Sequence, residues 1–293
     1  MKATDCLPSG VRGAVITVSL VCCVTALFVI AFVRADEGEF TTGRLPVQFY
    51  RELEARGLLD DYVGVFAIAH NSGDSLVATR EAIDHGADVI EIDVASIGSE
   101  LYAAHRSPLP LVGRRLFRGP MLADVWEAAT AVEVVKLDLK ESSPRFVKLL
   151  LDFLHEREPR ETVAVSPSLR VLVAFEERAP HTVRVLTVPD GRRLDELLRN
   201  PAITDVIDGV SVAHAALTAG RIAALRERGL LIFAYTVNDL DRLNELVIQG
   251  VDAVSTDNLA IMELLGGPRL GEARLRDRAV PPASLHSVAD ARQ

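Results

Sequence analysis

The chain has 293 residues, 49% of them hydrophobic and 25% charged, which allows one large α/β domain or two small ones. Its formal net charge of -9 argues against a general nucleic-acid binder, which presents a basic surface. Cys6, Cys22 and Cys23 all lie at the N-terminal end, so no disulfide framework staples the rest of the chain.

Ala14 to Val33 is an uncharged, predominantly apolar run of about 20 residues, long enough to span a bilayer as a helix. Lys2 and Arg12 precede it, while Asp36, Glu37 and Glu39 outnumber Arg34 after it. This charge bias predicts a cytoplasmic segment 1–13, a transmembrane anchor 14–33 and an extracytoplasmic remainder. A signal peptide cleaved near Val33-Arg34-Ala35 is the competing reading and would yield a secreted protein. Residues 34–60 read as a polar linker with a short helix from Val47 to Arg56.

From residue 61 short β-rich runs alternate with amphipathic helical patterns. The predicted strands are Val63–Ala69, Asp88–Val94, Val134–Leu139, Thr162–Ser166, Thr182–Val188, Gly209–Val212, Leu231–Thr236 and Ala253–Ser255. The helical patterns are Leu76–Asp84, Met121–Ala129, Phe146–Arg157, Leu169–Arg178, Leu194–Leu198, Ala219–Arg228, Asp239–Gln249 and Leu259–Leu265. Eight strand–helix units over residues 61–265 predict an α/β fold, a (β/α)8 TIM barrel slightly smaller than usual. A doubly wound sheet would carry a Gly-rich phosphate loop after its first strand, and none is present. The tail, 266–293, has no periodic apolar face and reads as disordered.

The barrel places chemistry at the C-terminal ends of its strands. His70 follows the first predicted strand, Glu91 and Asp93 lie near the end of the second, and Asp138 and Lys140 end the third. Alternate strand residues share a face, so Glu91 and Asp93 point the same way, as do Asp138 and Lys140. Paired buried carboxylates need positive charge between them, and oxygen ligands suit one divalent cation, Mg²⁺ or Ca²⁺. His70 and His105, on either side of the acidic pair, are then placed as base and acid around a bound group. Asp257 reads as the cap of the last helix. His85, His155, His181, His214 and His286 read as surface or packing residues.

These segments resemble the glycerophosphodiester phosphodiesterase family. "GADVIEIDV", "LYAAHR", "VVKLDLKE" and the closing "FAYTVNDLDRLNELVIQGVDAVSTDNL" appear in the family's order and spacing, and the likeness covers most of 61–265. It implies a barrel phosphodiesterase with His70 and His105 as general acid and base, Glu91, Asp93 and Asp138 as metal ligands, and Lys140 facing the phosphate. The chain departs from the family pattern at Asn71, where an Arg is usual, and at Arg106, where an Asp is usual. Asp138 replaces the usual Glu, and Tyr235 replaces the usual Trp. "LDLK" and the absent Arg are closer to the related sphingomyelinase D branch. Asn71, Arg106 and Tyr235 are candidate substrate contacts. The implied substrates are small phosphodiesters, glycerophosphodiesters or lysophospholipids, cleaved to glycerol phosphate or lysophosphatidic acid and an alcohol. A lyase that forms a cyclic phosphate and an inactive membrane-anchored scaffold barrel stay open. The membrane is the expected partner through the N-terminal helix, nucleic acid is not, and the oligomeric state is not legible.

Overall fold

The computed structural model describes residues 40, 41, 56, 59–62, 64–105, 119–157 and 160–266. The predicted anchor, almost all of the linker and its short helix, Arg106 and the tail beyond Gly266 lie outside the described residues. Among those described, no helix is long and apolar enough to cross a membrane.

Among the described residues nine strands form one sheet: β1 Phe66–Ala69, β2 Val89–Ile97, β3 Glu100–Ala103, β4 Val134–Leu139, β5 Glu161–Ser166, β6 Val183–Val188, β7 Gly209–Ala213, β8 Leu231–Tyr235 and β9 Ala253–Thr256. Eight of them are parallel. β1 pairs with both β9 and β2, which closes the sheet into the expected (β/α)8 barrel. The ninth, β3, is a departure from the sequence reading. It folds back antiparallel on β2, with Val94 opposite Ala103 and Ile97 opposite Glu100. β2 accordingly runs three residues beyond its predicted end. The two-residue turn Gly98-Ser99, with Gly98 at φ +67°, is a hairpin signal between alternating runs that the prediction passed over.

Strand parity sorts the core. Ile90, Ile92 and Val94 of β2 and Val135, Leu137 and Leu139 of β4 face outward and pack under helix residues such as Leu122, Val125, Phe146 and Leu150. The opposite parity faces inward, where Ile68, Val89, Val134, Val163, Val185 and Phe233 fill the floor of the barrel. Two residues further along each strand, the inward residues become Glu91, Lys136 and Ser255, all buried. A packed apolar floor therefore supports a charged upper layer.

Local chemistry holds these elements in place. In the helix Pro144–His155, proline fits the first turn, where its missing N–H costs nothing, and the Ser143 side chain accepts from Phe146 N–H. Its buried residues Phe146, Val147, Leu150 and Leu151 form one stripe against the sheet. Aspartates just before three strands fix register to the preceding strand. Asp88, Asp208 and Asp252 each accept a backbone N–H, from Ala67, Arg184 and Ile232 respectively, at 2.8 Å.

Candidate active site

The β2–β4 register builds the site rung by rung. Val89 stands opposite Val134, Glu91 opposite Lys136, and Asp93 opposite Asp138. The floor rung is apolar, the next is an ion pair, and the third sets two carboxylates against each other. Like charges directly across a sheet repel, and here oxygens of Glu91, Asp93 and Asp138 all lie within 4.8 Å of one another. At an effective dielectric of about 20 each such pair costs about 3.5 kcal/mol.

Two lysines offset that repulsion. Lys140 Nζ lies 3.1 Å from Asp93 Oδ1 and 2.8 Å from Asp138 Oδ2. Lys136 Nζ lies 3.0 Å from Glu91 Oε2, in a layer sealed from solvent. Lys136 is not among the candidate site residues of the sequence reading. Its inward parity, shared with Asp138 and Lys140, was the available signal.

The histidines reach this cluster by different routes. His105 is carried back by the β2–β3 hairpin, whose Ala104 N–H donates to Asp93 O at 2.7 Å. His105 Nδ1 then meets Asp93 Oδ2 at 2.5 Å. His70 directly follows β1, and its Nδ1 lies 2.8 Å from Asp257 Oδ1, just past β9. Asp257 is thus a correction to the sequence reading. The helix that follows β9 is capped by Asn258, whose Oδ1 accepts from Ala260 N–H, while the Asp257 carboxylate turns to His70 and to Asn238 Nδ2 at 2.9 Å. The inward positions Ala253 and Ser255 put Asp257 on the barrel side, a parity signal that the capping interpretation overrode. Thr236 Oγ1 is 3.5 Å from His70 Nε2.

Asn71 follows His70 in the left-handed region at φ 50°, and its Oδ1 is buried without a hydrogen-bond partner. The turn Ser72–Asp74 that it opens packs hard against β2. A Cβ at Gly73 would stand 2.5 Å from Ile92 Cγ1 and 2.8 Å from Glu91 O, so only glycine permits this approach. The turn delivers Asp74, absent from the sequence candidates, whose Oδ1 accepts Asp93 N–H at 3.2 Å. Tyr235 ends β8 and is half-buried. Arg106, the remaining candidate, lies outside the described residues.

The electrostatics follow from burial and charge together. Burial, and then the Asp93 charge, push the Asp74 carboxyl up to about 9, so it is neutral at pH 7. Burial also acts to raise Asp93, but the His105 bond and Lys140 outweigh it and hold Asp93 below the usual range. Asp138 is raised by burial, with Lys140 offsetting part of the effect. Burial disfavours the Lys140 charge, yet Asp93 and Asp138 raise its pKa. For His70, burial is outweighed by the Asp257 bond and the Glu91 charge, and the imidazole is raised above its ordinary value. Tyr235 is raised by burial and then by Asp138 and Glu91, which couples it to the acidic cluster.

These carboxylates fit a cation. Asp93 Oδ1 is buried with no well-aligned hydrogen bond although Lys140 is near, and three oxygens converge as hard ligands do.

Residues 124–261 match the model of the glycerophosphoryl diester phosphodiesterase family. That segment holds Lys136, Asp138, Lys140, Tyr235 and Asp257, whereas His70, Glu91, Asp93 and His105 precede it and join the site through the fold. The barrel is similar to a phosphodiesterase from Oleispira antarctica solved with the product sn-glycerol-3-phosphate, at 19% identity and TM-score 0.56, covering 71% of this chain and 98% of that one. It is also similar to a glycerophosphodiester phosphodiesterase from Agrobacterium tumefaciens, at 21% identity and TM-score 0.52, covering 69% and 99%. At these identities the likeness shows the shared barrel. No curated protein matches the chain.

Proposed function

We propose that this protein is a metal-dependent phosphodiesterase that cleaves glycerophosphodiesters or lysophospholipids, releasing glycerol phosphate or lysophosphatidic acid and an alcohol. The observation that carries this reading is the pair of histidines at one barrel mouth. Each has Nδ1 fastened to a carboxylate, and between them lie three convergent carboxylates and Lys140. With Nδ1–H directed at the carboxylate, each imidazole keeps Nε2 for proton transfer.

Glu91, Asp93 and Asp138 would hold one Mg²⁺ or Ca²⁺, which when bound supplies charge neutralisation at the phosphoryl oxygens. Lys140, already among the carboxylates and partly solvent-facing, adds a second positive charge to that phosphate. His70 is the member whose protonated form Asp257 favours, and it delivers its proton to the departing alkoxide. His105 accepts the proton of the nucleophile, either water or a hydroxyl of the substrate. Asn71, Arg106 and Tyr235 line the substrate in this reading. The N-terminal apolar run keeps the enzyme on the membrane with the barrel outside, or is removed to give a secreted enzyme.

The test is phosphorus NMR on the full-length protein with glycerophosphocholine and lysophosphatidylcholine, each with Mg²⁺ or Ca²⁺. A linear phosphomonoester that disappears with His70→Ala and with a chelator is the expected result. A cyclic phosphate as sole product replaces hydrolysis with the lyase reaction. Unchanged substrates together with no cation binding in calorimetry refute both and favour a scaffold.

A further inference from the structure

The ion-pair rung beneath the carboxylates has a use that the phosphodiesterase chemistry does not call for. Glu91 is 3% exposed and Lys136 is 2% exposed, and they face each other across β2 and β4. Lys136 Nζ also donates to Ser255 Oγ at 3.3 Å, and Ser255 Oγ donates to Glu91 Oε2 at 3.3 Å. A single oxygen of Glu91 is therefore committed to two donors from two other strands. This triangle belongs to the barrel's packed interior, below the level of His70, His105 and Lys140.

We propose that Lys136 is a built-in competitor of the divalent cation: a positioning residue that occupies one oxygen of Glu91 and sets the cation affinity of the site low. The inference rests on the metal-binding reading given above. Three carboxylates meet two ammonium groups here, so one net negative charge is left for an incoming cation when all three are ionised. Without Lys136 two would be left, and Glu91 would turn its whole carboxylate to the ion. Charge count and ligand freedom both govern affinity at oxygen sites. The lysine is retained because an unpaired Glu91 in this sealed layer would be costly in the cation-free protein. Lys136 thus exchanges cation affinity for an apo state that folds.

The test is calorimetric titration of the purified full-length protein with Mg²⁺ and separately with Ca²⁺. Parent, Lys136→Met and Lys136→Gln are compared, with circular dichroism and thermal melts on each. The expected result is a cation Kd at least about tenfold lower in the folded variants, and a larger rise in Tm on adding cation than the parent shows. A variant that folds only when cation is present supports the proposal equally. Parent binding with unchanged or weaker binding in the folded variants overturns this inference and leaves the metal reading standing. Absence of binding in parent and variants alike overturns both. If neither variant folds at any cation concentration, Lys136 is a structural counter-ion and the proposal fails.

Discussion

Replacing Asp257 by Asn removes one negative charge while keeping the shape of the side chain, and its effect is expected at His70. The His70 Nδ1–Asp257 Oδ1 contact is 2.8 Å, and both side chains are about three-quarters buried, at 23% and 28% exposure. A hydrogen bond to a charged partner contributes about 1.5–3 kcal/mol, and the burial that opposes the imidazolium stays in place after the substitution. Taking the low end for a site open to solvent on one side, losing the charged partner lowers the His70 pKa and removes about 1.5 kcal/mol from the pair. The sign for stability follows from both partners. His70 is raised on folding, so its contribution is complete below its unfolded value of 6.5 and is lost as pH rises through the folded value. Asp257 is lowered on folding, so its contribution is present above its ordinary value of 3.8 and is lost as pH falls through the folded value. The pair therefore stabilises most between those limits, and Asp257→Asn costs about 1 kcal/mol near pH 5.5 and much less at pH 9. Imidazole NMR titration of His70 reads the first quantity, and urea melts at the two pH values read the second. The basic limb of the pH–rate profile, where His70 loses the proton it must deliver, should move down with the imidazole. A His70 titration that stays in place, or a stability loss equal at both pH values, would refute the argument that Asp257 acts through its charge.

Gly73→Ala should destabilise the protein by about 1–3 kcal/mol in chemical melts, because the added methyl meets β2 backbone. A neutral result would mean that the Ser72–Asp74 turn is not pressed against β2. Gly98→Val forces a β-branched residue to φ +67° and should cost about 1–2 kcal/mol, with kcat falling further than stability because the hairpin carries His105. Unaltered kcat in the folded variant would separate the hairpin from catalysis. Lys140→Met leaves Asp93 and Asp138 facing each other. It should lower stability by about 3–5 kcal/mol, with part of that loss restored by Mg²⁺ or Ca²⁺ in thermal scans. No recovery with either cation would argue that these two carboxylates do not share a metal.

Strand period and helix period are local properties, so the chain itself determined the eight strand–helix units and the inward parity of Glu91, Asp93, Asp138 and Lys140. It also put His70, the acidic pair and Asp138 at strand ends, where a barrel exposes its interior to solvent. What it left open was which inward residue meets which, because contact depends on the register between strands far apart in the chain. The Glu91–Lys136 rung exists because β2 pairs with β4 in one register; a slip of one residue would turn either side chain out of the barrel. His70 and Asp257 lie 187 residues apart, and only closure of β1 on β9 brings them together. Asp257 looked like a helix cap because its sequence neighbours suit one, and the choice between cap and histidine partner was made by the barrel. Likewise, His105 was visible as a histidine after the acidic pair, but its place beside Asp93 came from the β2–β3 hairpin. Local pattern decides which face a side chain takes, and only closure of the sheet decides what charge it finds there.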